Sequence, residues 1–387
     1  MYISHIKLFN WKNFHECEVN LSERCFIIGA NAAGKSNFLD ALRFLRDITK
    51  QGGGLQSAVD SRGGVTKIRS LSARTRTDVG VEVILSDSEK HEPIWKYSLY
   101  FRNTGGGIKK NSALVKNEEV FDYRKGEYTL QRDEKEESED QETLKFTHLE
   151  QATANTKFRE VKDAFQALEY LNVIPQLVRE SSSVMISTDK EDYYGRNFLQ
   201  RMSILPERTR SKYLRLINEV LAVAVPQLEK LSFVKDEMGV PHIEATYKHW
   251  RARGSKQNEM LFSDGTLRLI GFLFAMLDGT GIILLEEPEI NLHSEIVAQI
   301  PAFVSRIQRN KHRQVIITTH SYDILSNNGI GMKELVVLMN TKEGTLVKNG
   351  IDIDVVRDVM NAGLSAADAT ISLTRPENIE NMNHITL

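Results

Sequence analysis

Residues 29–36 read Gly29-Ala30-Asn31-Ala32-Ala33-Gly34-Lys35-Ser36, which fits the pattern G-x-x-x-x-G-K-[ST]. The flanks give the pattern its meaning. Phe26-Ile27-Ile28 before it predicts a short buried strand, and Phe38, Ala41, Leu42 and Leu45 after it recur at helical spacing. A glycine-rich turn from strand to helix gathers backbone N–H groups around one point, and the helix N-terminus adds partial positive charge there. Phosphate is the ligand such a loop suits. Residues 29 to 36, with Asn37 behind them, are therefore expected to wrap the phosphates of ATP. Lys35 should reach the β- and γ-phosphates, and the Ser36 hydroxyl should bind Mg²⁺. A plain glycine turn is the blander alternative, and the strand–turn–helix context argues against it.

A second site signal lies far downstream. The apolar run Gly281-Ile282-Ile283-Leu284-Leu285 passes straight into Glu286-Glu287-Pro288-Glu289. Carboxylates at the end of a buried strand are costly unless a cation or a hydrogen-bond donor meets them. A Mg²⁺–nucleotide site supplies one. Glu286 would hold the metal, and Glu287 would polarise the attacking water. Upstream, Phe262-Ser263-Asp264-Gly265-Thr266 opens an apolar helix over 267–277. Ser263 and Gly265 form either a second phosphate-binding turn or a simple N-cap, and the acidic strand that follows favours the former. Downstream, Val315-Ile316-Ile317-Thr318-Thr319 ends in His320, a group that can sense or stabilise the γ-phosphate.

The remaining composition bounds the class. The chain has 387 residues, 41% apolar and 26% charged, enough for a large core in one or two domains. Its net charge of −2 gives no global field to hold nucleic acid, so any DNA contact must be local. Cys17 and Cys25 are the only cysteines and suit buried thiols in a reducing compartment. The N-terminus lacks the long apolar core of a signal peptide, and no apolar run reaches the ~20 residues that span a bilayer. A cytoplasmic protein without a membrane partner is expected.

Short apolar runs at 281–285, 315–319 and 335–339, separated by polar helical stretches, predict a covered, largely parallel sheet. The start of the chain is strand-like at 2–9, 79–85 and 95–101. The acidic run over 133–140 reads as an exposed linker. Beyond it, 158–171 and 194–229 carry helix formers with periodic apolar positions such as Leu214, Ile217, Val220 and Leu221. The expected organisation is an α/β head split in sequence: residues 1–130 carrying the phosphate loop, an acidic linker and mostly helical inserted lobe over 131–254, and residues 255–387 carrying the remaining motifs.

The order of phosphate loop, long insertion, Ser-Asp-Gly turn, Glu-Glu strand and histidine resembles the ATP-binding-cassette class of P-loop NTPases. Within it, the heads of RecF, SMC and OLD (overcoming lysogenization defect) proteins, and the stand-alone bacterial AAA-type ATPases akin to them, look most similar. The opening Ile6-Lys7-Leu8-Phe9-Asn10-Trp11-Lys12-Asn13-Phe14 looks like that group's first strand and turn, and Glu286 through His293 like its Walker B and D-loop. The resemblance implies that Ser263 and Gly265 complete the site of a second copy, so that ATP is sandwiched in a homodimer. It makes His320 the switch histidine and Asn291 to His293 the D-loop. Glu286 stands where many relatives have Asp, and no Q-loop glutamine is identifiable beyond Gln51 and Gln56.

Three basic clusters could touch DNA: Lys67, Arg69, Arg74 and Arg76; Arg208, Arg210, Lys212 and Arg215; and Lys248-His249-Trp250-Arg251-Ala252-Arg253. Most such clusters are solvated faces. The reading that follows is an ATPase acting as a dimerisation switch in DNA repair or anti-phage defence, with a separate nuclease or toxin as effector. An OLD-type nuclease is the first rival. Asp352-Ile353-Asp354 mimics a fragment of its metal motif, but the 67 residues after His320 are few for that domain. An SMC-like structural protein is the second, and it lacks the heptad arms.

Overall fold

A computed structural model describes residues 1–74, 76–104, 112–135, 141–180, 195, 197–248 and 255–375. The chain opens with β1 (Tyr2–Trp11), β2 (Phe14–Asn20) and β3 (Arg24–Gly29), followed by α1 (Lys35–Thr49), α2 (Leu55–Asp60) and α3 (Val65–Ile68). Next come β4 (Val79–Ser86), β5 (Pro93–Asn103), β6 (Ala113–Asp122), β7 (Glu127–Asp133), α4 (Arg159–Gln166) and β8 (Glu169–Leu171). The middle of the chain forms α5 (Pro175–Glu180), α6 (Phe198–Ile204), α7 (Glu207–Ala224), β9 (Leu228–Lys235), β10 (Pro241–Tyr247) and β11 (Ser255–Asn258). The last third holds α8 (Asp264–Leu277), β12 (Ile283–Glu286), α9 (Ser294–Val297), α10 (Ile300–Lys311), β13 (Val315–Thr319) and α11 (Tyr322–Leu325). It closes with β14 (Leu335–Thr341), β15 (Gly344–Asn349), α12 (Asp354–Asn361) and α13 (Ala366–Thr374).

Two compact units result. The first comprises Met1–Glu169, Thr280–Leu284 and Lys311–Leu387, and the second Tyr170–Gly279 and Leu285–Asn310. This division differs from the one read off the sequence. Residues 141–169 belong with the first unit, and Ser263, Glu286 and Glu287 with the second. The middle lobe is also less helical than its periodicity promised. Leu228 and Leu231 begin a strand, and β9 to β11 form a three-stranded antiparallel sheet in the order β11-β10-β9.

In the first unit, β2-β1-β4-β5-β6-β7 make an antiparallel six-stranded sheet. A second six-stranded sheet runs in the order β15-β14-β3-β13-β12-β8. Its centre, β3, pairs in parallel with β13 and β14. Every residue of β13 is buried, as are Cys25 to Gly29 of β3, which is why these strands read as unbroken apolar runs. Strand β12 crosses the unit boundary: Ile283 and Leu284 count with the first unit, Leu285 and Glu286 with the second.

Helix α1 is buried far beyond the single apolar face its sequence showed. Asp40 and Asp47 are both inside, and each is ion-paired to Arg62, at 2.9 and 2.8 Å. Burial pushes the Asp40 carboxyl up, but Arg62 and Lys12 outweigh it and hold the group below its ordinary range. Both cysteines are buried. Among the described residues no helix is long and apolar enough to cross a membrane. Residues 136–140 of the acidic run and 249–253 of the third basic cluster lie outside the described residues.

Candidate nucleotide site

The phosphate loop leaves β3 at Gly29, where a Cβ would stand 2.7 Å from the Leu338 carbonyl oxygen of the neighbouring strand. Two left-handed residues turn the chain, Ala32 at φ 63° and Gly34 at φ 98°. At Gly34 a side chain is doubly excluded, because its Cβ would lie 2.1 Å from Asn13 Nδ2. Asn13 is the centre of a brace. Its Nδ2 donates to Ala33 O at 3.1 Å and to Thr345 Oγ1 at 2.6 Å. Thr345 Oγ1 donates to the same Ala33 carbonyl at 2.9 Å. Asn37 Nδ2 donates to Asn13 Oδ1 at 2.7 Å, and Trp11 Nε1 donates to Asn37 O at 3.0 Å. The turn after β1, the first turn of α1 and the start of β15 thus hold one loop.

Lys35 is only 7% exposed, and its ammonium donates to the carbonyls of Gly29 at 3.0 Å and Ala30 at 3.3 Å. Asn31, Ala32 and Ser36 face solvent between buried flanks. Helix α1 carries no acidic residue in its first turn, and its N-cap is glycine, so its N-terminal N–H groups and dipole suit an anion. Parallel register pairs Thr319 with Ile28 and Leu338 with Gly29. Continued one step, it brings His320 level with the first glycine of the loop, and His320 is exposed there.

The second unit holds the other predicted residues. Glu286 ends β12 half-buried and accepts a hydrogen bond from the Tyr170 hydroxyl. Glu287 adopts φ 43°, a left-handed conformation that costs a non-glycine residue about 1–3 kcal/mol and clusters at functional sites. The side chain is half-buried. Asn291 is left-handed too, at φ 63°. Gly265, in the first turn of α8, meets that segment directly, since a Cβ there would lie 2.4 Å from Asn291 O. Ser263 caps α8: its Oγ accepts from Thr266 N at 3.2 Å and lies 2.8 Å from Thr266 Oγ1. Asp264 is ion-paired to Arg179 at 2.6 Å. Ser263 is exposed. Met260 and Leu261 just before it, and Ile290 just before Asn291, are 47%, 68% and 37% exposed.

Several sequence expectations change. Gln56 donates to the carbonyls of Ala113 and Lys145 at 2.8 and 2.7 Å and accepts from Ala113 N at 3.1 Å. It clamps the start of β6 and is committed there. Arg210 is half-buried, donating to Ser203 O and Leu205 O and lying over the Phe233 ring, whereas Arg208, Lys212 and Arg215 on the same helix are exposed. Arg74 and Arg76 line a 550 Å³ cavity with Phe9, His15 and Lys342. Asp354 opens α12 ion-paired to Arg357.

The backbone is similar to that of solved SMC heads. An SMC head bound to the C-terminal winged-helix domain of ScpA superposes with a TM-score of 0.55, covering 90% of this chain and 98% of that one at 14% identity. The Pyrococcus furiosus SMC head bound to the C-terminal domain of ScpA gives 0.50, covering 90% and 96% at 12% identity. The fold is therefore that of an SMC-type head, a P-loop NTPase of the ATP-binding-cassette class. The family model described as "AAA domain, putative AbiEii toxin, Type IV TA system" matches residues 25–326, and one for the P-loop-containing region of an AAA domain matches residues 3–45. The protein belongs to this AAA family of P-loop ATPase domains. Among curated proteins, the DNA replication and repair protein RecF of Crocosphaera subtropica is 44% identical over 46 residues, 12% of each chain. Endonuclease GajA of Bacillus cereus is 47% identical over 47 residues, 12% of this chain and 8% of that protein.

Proposed function

We propose that the protein binds and hydrolyses ATP with Mg²⁺, and that its complete sites form when two copies pair head to head. The observation that carries this reading is the exposed Ser263 turn, packed through Gly265 against the segment that begins at the strained Glu287. The turn is exposed at Ser263, and the close approach of Gly265 to Asn291 O joins it to the segment that follows the acidic strand.

In this mechanism the N–H groups of residues 29–36 and the Lys35 ammonium hold the phosphates. Ser36 and Glu286 supply hard oxygen donors of the kind Mg²⁺ takes. When bound, the metal neutralises charge on the β- and γ-phosphates. Glu287 orients and polarises the attacking water, and His320 stabilises the γ-phosphate. Ser263 and Gly265 complete the partner copy's site, so binding energy for the γ-phosphate favours the closed pair, and hydrolysis removes it. The protein is proposed to act in the cytoplasm, in DNA repair or anti-phage defence; the names of the matched proteins, a repair protein and an endonuclease, and the toxin in the family's description support the latter part of that reading. The effector is proposed to be a separate nuclease or toxin, with weak DNA contact through Arg208, Lys212 and Arg215.

The test is complementation between inactive variants. Lys35→Ala and Ser263→Arg should each be inactive alone, and their mixture should recover turnover, because a mixed dimer contains one intact composite site. Activity that never exceeds the sum of the two alone contradicts a shared site.

A further inference from the structure

Glu286 is the acidic residue at the end of β12, and its carboxylate stands one methylene further from the backbone than an aspartate's would. A longer carboxylate has an additional torsion and, unrestrained, a more diffuse position. The structure places a restraint beside it. Strand β8 is the edge neighbour of β12. Of its three residues Tyr170 is the buried one, at 8% exposure, with Glu169 and Leu171 half-buried on either side. The Tyr170 hydroxyl donates to one carboxylate oxygen of Glu286.

We infer that Tyr170 is a positioning residue for the metal site: its hydroxyl pins Glu286 Oε2, fixing where the rest of the carboxylate points toward Mg²⁺. The inference rests on the ATPase reading above. The pair is matched in length. An aspartate at 286 would withdraw the carboxylate from the hydroxyl, and a phenylalanine at 170 would free the glutamate. A hydrogen bond to an ionised acceptor is about twice as strong as a neutral one, and a buried tyrosine loses little entropy in making it, because its ring is already packed. Groups that orient a metal ligand typically change metal affinity by about 10–100-fold when removed. The same contact also explains why the site tolerates glutamate: the extra methylene places the carboxylate where the neighbouring strand offers a donor.

The experiment is binding of a fluorescent ATP analogue as a function of Mg²⁺ concentration, with thermal melting of each variant as the check on folding. It compares wild type, Tyr170→Phe, Glu286→Asp and the double variant. Tyr170→Phe removes one oxygen atom and should leave metal-free nucleotide affinity unchanged while raising the half-saturating Mg²⁺ concentration about tenfold. Glu286→Asp should also raise the half-saturating Mg²⁺ concentration in the wild-type background and raise it markedly less when Tyr170 is already Phe, the signature of a coupled pair. In turnover, Tyr170→Phe should be rescued by high Mg²⁺. An unchanged Mg²⁺ dependence in Tyr170→Phe, or additive effects in the double variant, overturns the inference while leaving the ATPase reading intact. Should Tyr170→Phe melt early, additivity is judged with Glu286→Asp against Tyr170→His. Failure of the wild type to bind nucleotide at all overturns both.

Discussion

Asn13→Ala removes the centre of the brace behind the phosphate loop. Three hydrogen bonds go: two donated, to Ala33 O and Thr345 Oγ1, and one accepted from Asn37. At a net ~0.5–1.5 kcal/mol each, they amount to about 3 kcal/mol. Thr345 Oγ1 still reaches Ala33 O at 2.9 Å, so part of the order survives and the loss at the loop should be about 2 kcal/mol. At ~1.4 kcal/mol per decade this weakens nucleotide binding about 30-fold. Titration with a fluorescent ATP analogue measures it, and melting without nucleotide confirms the fold. Thr345→Val should act in the same direction, and the two together should cost more than their sum, because each alone leaves the other donor on Ala33 O. Affinity within threefold of wild type for both single variants would refute the idea that the brace shapes the loop.

Gly265→Ala puts a methyl 2.4 Å from Asn291 O; nucleotide affinity should hold while turnover falls at least about tenfold, read by paired binding and phosphate-release assays. His242 sits 2.6 Å from the fully buried Glu259. Burial alone would lower its pKa, but the Glu259 hydrogen bond and charge, with Asp236, raise it. Stability from the charged pair is therefore full below the ordinary histidine value of about 6.5 and lost as pH rises through the raised folded value. Urea midpoints of wild type and His242→Gln should converge across that rise, and a gap independent of pH would contradict the pairing. If six phosphates are contacted, DNA affinity should fall by about 10³ between 50 and 200 mM salt, with reversal of Arg208, Lys212 and Arg215 flattening the slope at unchanged basal turnover.

The sequence made the strand–loop–helix and the acidic strand legible because each compresses its chemistry into consecutive residues. Gly29 through Ser36 lie on one turn, and the apolar run into Glu286 marks a buried strand end. The brace was not legible. Asn13 lies in the opening stretch that resembles the group's first strand and turn, but nothing there points to Thr345, and the two meet only because β1, β3 and β15 are brought together. Nor was Tyr170, which lies in a three-residue strand inside a stretch read as helix. The helical reading of the middle lobe failed at β9 to β11 for a related reason. These strands carry Lys, Glu and Ser on their open face, which propensity alone does not separate from a helix surface. Ser263 was legible as both cap and candidate ligand, and the structure shows the cap directly.

The most direct test of head-to-head pairing is sedimentation velocity of two variants with ATP and Mg²⁺. Glu287→Gln, which keeps the phosphate loop and slows hydrolysis by about 10²–10⁴-fold, should bind ATP and sediment as a stable dimer that returns to monomer when ADP replaces ATP. Lys35→Ala should remain monomeric throughout. If ATP-loaded Glu287→Gln sediments as a monomer, or if both variants form the same species regardless of nucleotide, ATP does not drive the pairing.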